Sequence, residues 1–430
     1  MKEKLISIPL QECEIIHNMY DAPVTFVTIF EGQPPSDFLQ NRASQVLAAN
    51  PWLASRLSNE NQISKPCFYH PVKPELSPFY EQASVTDICK SGTSVDSILA
   101  ETYTERLSPA MLKLFTKHGF NSLNKDEPLC KIRLCTGSDN RFMVLFSMSH
   151  ILGDGFTAYR IYSMLNPSEP VASMIPQRIR SFQRIVDNTG GTFGSIWFPK
   201  QESRSSNSKL DWMLDSKAIW STKESREKVG LTHGEEQDIL SNDVTFNGGI
   251  FQINTKWVAE QKKIFKGDSK VPWISTNDII TSWFLKKSKA DMGAMAINTR
   301  NRTPELGMLH AGNYQIGFLL TPDEYSSPCA IRESIATFSA STKPNSSPGL
   351  NNKLALISSW TQRYADLNFG TDYRLLIHIP LCPEELSPPV MMDSVMILFC
   401  SGNGSLSAAI KSTNIKAFLD QTALGNSILG

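Results

Sequence analysis

His150 and Asp154 stand four residues apart in the stretch HILGDG, and Gly153 and Gly155 flank the aspartate. An unperturbed imidazole titrates near 6.5, so a neutral base is available there at ordinary cellular pH. A positioned general base is worth about 10² to 10⁴ in rate. A carboxylate four residues on could orient that imidazole as the second member of a dyad. An aspartate between glycines could equally cap a helix that starts at the turn. Of the seven histidines, His150 alone has an aspartate four residues on with a glycine on each side of it.

Two elements must position these groups. Residues 142–148 form an apolar run rich in β-formers, and residues 156–165 place Phe156, Tyr159, Ile161 and Leu165 at helical spacing. The pattern predicts a strand, a tight loop and a helix, which presents side chains at the end of a sheet, where open α/β folds place their ligands. Residues 128–134 and 141–148, joined by the turn GSDN, predict a hairpin. Residues 24–30 read as a strand, and residues 36–49 as a helix with Ser36 as N-cap that ends at Asn50-Pro51. In the second half, Ser275 and Asp278 form a capping box ahead of a helix. Strands are expected at 249–254 and 354–360, a strand running into an Arg-bearing loop over 295–302, a hairpin around Gly402-Asn403-Gly404, and a terminal helix over 414–424. Strands and helices mix without strict βαβ alternation, which predicts an α/β protein of layered sandwiches with mixed sheets.

The 430 residues exceed one compact core and suit two domains of about 200 residues each. Residues 1–165 and 210–430 are the expected domains. Residues 166–209, rich in Pro, Gly, Ser and charge, are the expected crossover. Lys plus Arg and Asp plus Glu balance at 42 each, so no global field draws nucleic acid or an anionic membrane. No apolar run approaches the roughly 20 residues that span a bilayer. The first residues, MKEKLISIPLQE, lack the apolar core of a signal peptide. Eight scattered cysteines without a CxxC pair read as reduced thiols in the cytosol. The seven histidines make no HxxxH or HExxH pattern, so no metal site is expected. The chain is expected to be a cytoplasmic monomer.

Beyond HILGDG, FLQNRASQVLAANPWLASRL, STNDIITSWFLKKSK, NTRNR with Gly312-Asn313, SSW at 358–360 and NFG at 368–370 agree in order and spacing with one family. The chain resembles the BAHD acyltransferases, within the wider group of chloramphenicol-acetyltransferase-like and condensation-domain enzymes. The resemblance implies two chloramphenicol-acetyltransferase-like sandwich domains with an active-site channel between them. It implies acyl transfer from acyl-CoA to the alcohol or amine of a small molecule, with no permanently bound cofactor, in secondary metabolism. His150 is the implied base. Asp154 is implied to point away and pair with Arg300, or with Arg302. Gly155 is expected to permit a backbone conformation or a close approach that a Cβ would obstruct. Ser358 and Trp360 match a hydroxyl donor and an indole N–H that face the channel.

Phosphates of CoA need cations, and Lys262, Lys263 and Lys266 lie near the crossover, with Lys256, Lys286, Lys287 and Lys289 further candidates. Solvated helix faces look the same. Two departures bear on this. The signature DFGWG has become NFGTD, and the residue before His150 is Ser149 rather than a second histidine. The second departure favours free acyl-CoA over a carrier-bound acyl group. A condensation-type enzyme fed by a carrier protein and a catalytically silent binding module are the competing readings.

Overall fold

The computed structural model describes residues 4–182 and 247–428, apart from 12, 20, 60–65, 90, 91, 93, 105–106, 303, 337–352, 362–363, 382–391 and 420–421. The expected crossover beyond residue 182, His233 and Cys382 lie outside the described residues. Three sheets organise the rest. The first is small and antiparallel: β1 (Leu5–Pro9) and β3 (Arg56–Ser58) flank β4 (Cys67–Pro71).

The second sheet carries the apolar run that leads to His150. Here β2 (Val24–Glu31), β5 (Tyr80–Ser84), β6 (Cys130–Thr136) and β7 (Arg141–Met148) are joined by β12 (Arg374–Leu381), in the order β12-β2-β7-β6-β5. β6 and β7 form the expected antiparallel hairpin, and Asn140 supplies the left-handed residue of its turn. The lone parallel pairing, of β5 with β6, makes the sheet mixed. Phe142, Met143, Val144, Leu145, Phe146 and Met148 are all fully buried. A strand covered on both faces has no polar side to alternate with, which is why its sequence reads as a continuous apolar run.

The third sheet has seven strands in the order β10-β9-β11-β13-β14-β8-β15. They are β8 (Asn247–Ile253), β9 (Met292–Asn298), β10 (Gln315–Leu320), β11 (Leu354–Ser359), β13 (Ser394–Gly402), β14 (Ser405–Ser412) and β15 (Leu424–Ser427). β11 runs parallel to both β9 and β13, and the remaining pairs are antiparallel. The helix Thr276–Ser288 starts at the expected capping box, with Ser275 Oγ accepting from Asp278 N and Asp278 accepting from Ser275 N. Among the described residues no helix is long and apolar enough to cross a membrane.

Two local expectations are corrected. The helix Ser36–Ala49 is capped by Pro35, and Ser36 is its first residue without a capping side-chain bond. The ring fixes Pro35 φ at −76°, so the chain already turns one residue earlier. The expected terminal helix is a single 3₁₀ turn, Ile415–Phe418, followed by β15 on the edge of β8. Ile415, Phe418 and Leu419 keep helical spacing for one turn only, and the open edge of β8 then takes the backbone of Leu424–Ser427 instead.

β12 comes from the second half of the chain yet pairs with β2 of the first. His378 on β12 stands opposite Thr28, and its Nδ1 lies 2.8 Å from Thr28 Oγ1 while its Nε2 lies 2.8 Å from Tyr159 OH. Tyr364 stacks on the imidazole at 3.9 Å, and the histidine is fully buried. Burial pushes its pKa down to about 3, so the folded protein holds it neutral. In the unfolded chain it titrates near 6.5, so between these values the unfolded state binds the extra proton. Its stabilising contribution is therefore complete above about pH 6.5 and shrinks as pH falls towards 3. We predict that the stability difference between the protein and His378→Gln shrinks by about 2 kcal/mol from pH 7 to pH 5. Urea unfolding at both pH values measures it, and an equal difference at the two would contradict it.

Candidate active site

β7 ends at Met148, and the chain then turns into the loop that carries His150. The loop closes with Leu152 N donating to Ser149 O at 2.9 Å, and the helix Gly155–Ser163 begins. Asp154 caps that helix: its Oδ1 accepts from Thr157 N at 2.9 Å and from the Thr157 hydroxyl at 3.0 Å. Gly155 is the first residue of the helix, with a φ outside the left-handed region. The left-handed glycine of this cluster is Gly312, φ +140°, where a Cβ would crowd the Arg178 guanidinium at 3.0 Å.

The carboxylate of Asp154 faces away from the imidazole. Arg300, just past the end of β9, meets it with two nitrogens, Nη1 at 2.7 Å and Nη2 at 3.2 Å. Both side chains are buried, at 0% and 1% exposure. Tyr314 N donates to the same carboxylate at 3.1 Å. The guanidinium also donates to Gly312 O (2.9 Å), His310 O (2.9 Å) and Thr157 Oγ1 (3.1 Å), and it lies over the Phe156 ring at 4.4 Å. Arg302, the alternative partner, is exposed and donates to Asn298 O instead.

His150 keeps a ring that is 16% exposed. Its Nδ1 lies 3.1 Å from Asn313 Oδ1 and 3.9 Å from Asp21 Oδ2. Asn313 Nδ2 donates back to His150 O at 2.8 Å. Asn18 Nδ2 holds Asp21 Oδ2 at 2.8 Å. A second buried ion pair lies under the loop: Glu14 and Arg178 meet at 3.0 Å, and Arg178 also donates to Leu152 O and Ala311 O. Asp21, Glu14 and Arg178 carry no motif of their own. Asn313 lies in the Gly312-Asn313 turn that the resemblance picks out, which was the available signal for it.

The Trp360 indole N–H does not point freely into a channel. It donates to Ser358 Oγ at 3.0 Å, which leaves the serine's own proton to donate elsewhere. The indole edge packs on Tyr159 of the helix after His150, with ring centroids 5.7 Å apart. Thus the end of β11 is fixed to the same helix that Asp154 caps. Lys262 Nζ donates to Thr276 Oγ1 at 2.9 Å, beside the capping box, and Lys263 and Lys266 are exposed nearby in sequence. In NFGTD, Asn368 Oδ1 accepts from Gly370 N at 2.9 Å, which an aspartate would do as well. Phe369 packs on Phe30, Phe38 and Phe142. That segment docks a loop on the five-stranded sheet and lies away from the imidazole's contacts.

Mixed sheets in two halves, a strand lent from one to the other and a histidine loop held between them define the chloramphenicol-acetyltransferase-like fold. Solved structures share it across nearly the whole chain. TRI101 of F. graminearum, complexed with ethyl coenzyme A, is 13% identical, covers 99% of this chain and 100% of its own, and superposes with a TM-score of 0.60. The condensation domain of the monacolin K polyketide synthase MokA is 9% identical over 97% and 96%, with a TM-score of 0.58. Polyketide synthase associated protein 5 from Mycobacterium tuberculosis is 13% identical over 96% of both chains, with a TM-score of 0.52. No family model matches the sequence, and neither does any curated protein.

Losing one member of a buried ion pair strands the other charge, at about 3–5 kcal/mol. Arg300→Met is therefore predicted to destabilise the protein by about that much, and Arg300→Met with Asp154→Leu by less than the sum of the single changes. Chemical denaturation of the two single variants and the double variant gives the comparison. If Asp154→Asn abolished activity at unchanged stability, Asp154 would be a dyad member rather than an anchor.

Proposed function

We propose that this chain is a BAHD-type acyltransferase that moves an acyl group from acyl-CoA to the hydroxyl or amine of a small molecule. The observation that carries the reading is His150 itself. It is a partly exposed imidazole at a strand end, on a loop whose backbone is fixed from both halves of the chain. The coenzyme A complexes of TRI101, a structure of the same fold, support the donor class.

In this mechanism the acceptor's O–H or N–H proton passes to His150 as the acceptor attacks the thioester carbonyl carbon. The carbonyl oxygen becomes an oxyanion that takes a hydrogen bond from the Ser358 hydroxyl. Trp360 fixes that hydroxyl by donating its indole N–H to Ser358 Oγ, so it acts through the serine. The tetrahedral intermediate collapses, the carbon–sulfur bond breaks, and the thiolate of CoA takes the proton back from His150. Asp154, Arg300 and Gly155 hold the loop, and Lys262, Lys263 and Lys266 offer charge to the CoA phosphates. No serine or cysteine stands beside the imidazole as a nucleophile among the described residues, so transfer is direct. The protein works as a cytoplasmic monomer in secondary metabolism.

Carrier-fed condensation is the second reading, supported by the likeness to condensation domains. Ser149 weighs against it, because a second histidine is expected there in carrier-dependent enzymes. A screen of acyl-CoAs by thiol release against alcohols and amines, run beside an acyl-loaded carrier protein, separates the two. His150→Ala is expected to lower kcat by about 10² to 10⁴, and Ser358→Ala by about 10². A folded His150→Ala variant that turns over at the unmodified rate would sink the mechanism.

A further inference from the structure

We infer that Asn313 is the positioning residue that fixes the tautomer of His150, leaving the lone pair on Nε2. The inference deepens the acyltransferase reading and rests on His150 being its base. It begins with which way round the Asn313 amide sits. Its Nδ2 faces three oxygens: His150 O at 2.8 Å, Ile151 O at 3.4 Å and Glu14 Oε1 at 3.5 Å. Reversing the amide would set Oδ1 against all three. The amide N must therefore point there, and Oδ1 must face the imidazole.

An amide oxygen only accepts, so the ring nitrogen 3.1 Å away has to carry the proton. The other group facing Nδ1 is the carboxylate of Asp21 at 3.9 Å, again an acceptor. Two oxygens on one side of the ring demand Nδ1–H, and the neutral ring then keeps its basic lone pair on Nε2. One amide thus grips the backbone and the ring of the same residue, which fixes both the loop and the direction in which the base points. Asn313 sits beside Gly312, whose carbonyl accepts from Arg300, so the anchor of Asp154 also sets the orienter of His150. During transfer the proton arrives at Nε2, and the imidazolium that forms still has its Nδ1–H on Asn313 with the Asp21 charge alongside.

The test reads the ring directly. The intact protein, labelled with ¹⁵N in its histidines, is measured by two-bond ¹H–¹⁵N correlation on the neutral ring, with His150→Gln to assign the signals. The expected result is a protonated Nδ1 and an unprotonated Nε2 for His150. In Asn313→Ala the population moves towards Nε2–H, and kcat for thiol release from the best acyl-CoA of the screen falls about tenfold, with KM unchanged. Asp21→Asn keeps the tautomer, because the amide still holds it. A wild-type ring protonated on Nε2, an Asn313→Ala ring unchanged, or a tautomer lost in Asp21→Asn would each overturn the inference. The spectra need no substrate. Expected spectra from a protein that consumes no acyl-CoA would count against the acyltransferase reading alone.

Discussion

The structure turns on one buried ion pair. Asp154 and Arg300 lie 146 residues apart in sequence and meet in a place closed to water. Bringing two charges out of water costs several kcal/mol per ion, and their attraction offsets this only when the remaining valences are filled. Here they are filled. Asp154 also accepts from Thr157 and from Tyr314 N, while Arg300 spends its other hydrogens on Gly312 O, His310 O, Asn298 and Thr157. Those partners sit on both sides of the join between the halves, so the pair fixes the loop after β7 against the segment after β9. Any slip between these segments would break several charge-assisted bonds at once.

A second, uncharged knot complements it on the other face of the same helix. Thr28, Tyr159, Tyr162 and His378 form a continuous polar chain inside the apolar core. A buried polar group is costly when unmet, and a chain whose members satisfy each other tolerates one geometry only. That geometry requires β12 beside β2, with His378 opposite Thr28. The ion pair and the polar chain therefore carry the same message at two points: the second half of the chain must deliver a loop and a strand to the first in a fixed register.

Local signals survived translation from sequence to structure best. The continuous apolar run of β7, the β6–β7 hairpin and the capping box at Ser275 and Asp278 each depend on neighbours in sequence, and each lies where the pattern put it. The terminal strand β15 did not follow its pattern, because the open edge of β8 is a tertiary fact that outweighs weak helical spacing. The Asp154 partner was within reach because a resemblance pointed at an arginine. The contacts of His150 were not. Asn313, Asp21 and Arg178 become neighbours of the loop only after three distant segments have folded onto it. Residues 166–182, rich in turn formers, read as part of a linker. In the folded chain they are held at Asn50 and, through Arg178, at Glu14, because polar side chains that suit a loop also suit a buried network.

The distribution of carboxylates around this loop settles which of them can act on the imidazole. Asp154 is neutralised by Arg300 through two nitrogens, and Glu14 by Arg178 through its Nε alone, both in buried pairs. Asp21 meets no arginine or lysine among the described residues; its side chain is held by an amide and is 41% exposed. A carboxylate already matched to a guanidinium presents little net field beyond its partner, whereas an unmatched one still acts on a charge a few ångströms away. Asp21, 129 residues before the histidine in sequence, is accordingly the one whose charge reaches it. The aspartate four residues from His150 is spent on holding the loop, and that expense is what lets the loop hold the base still.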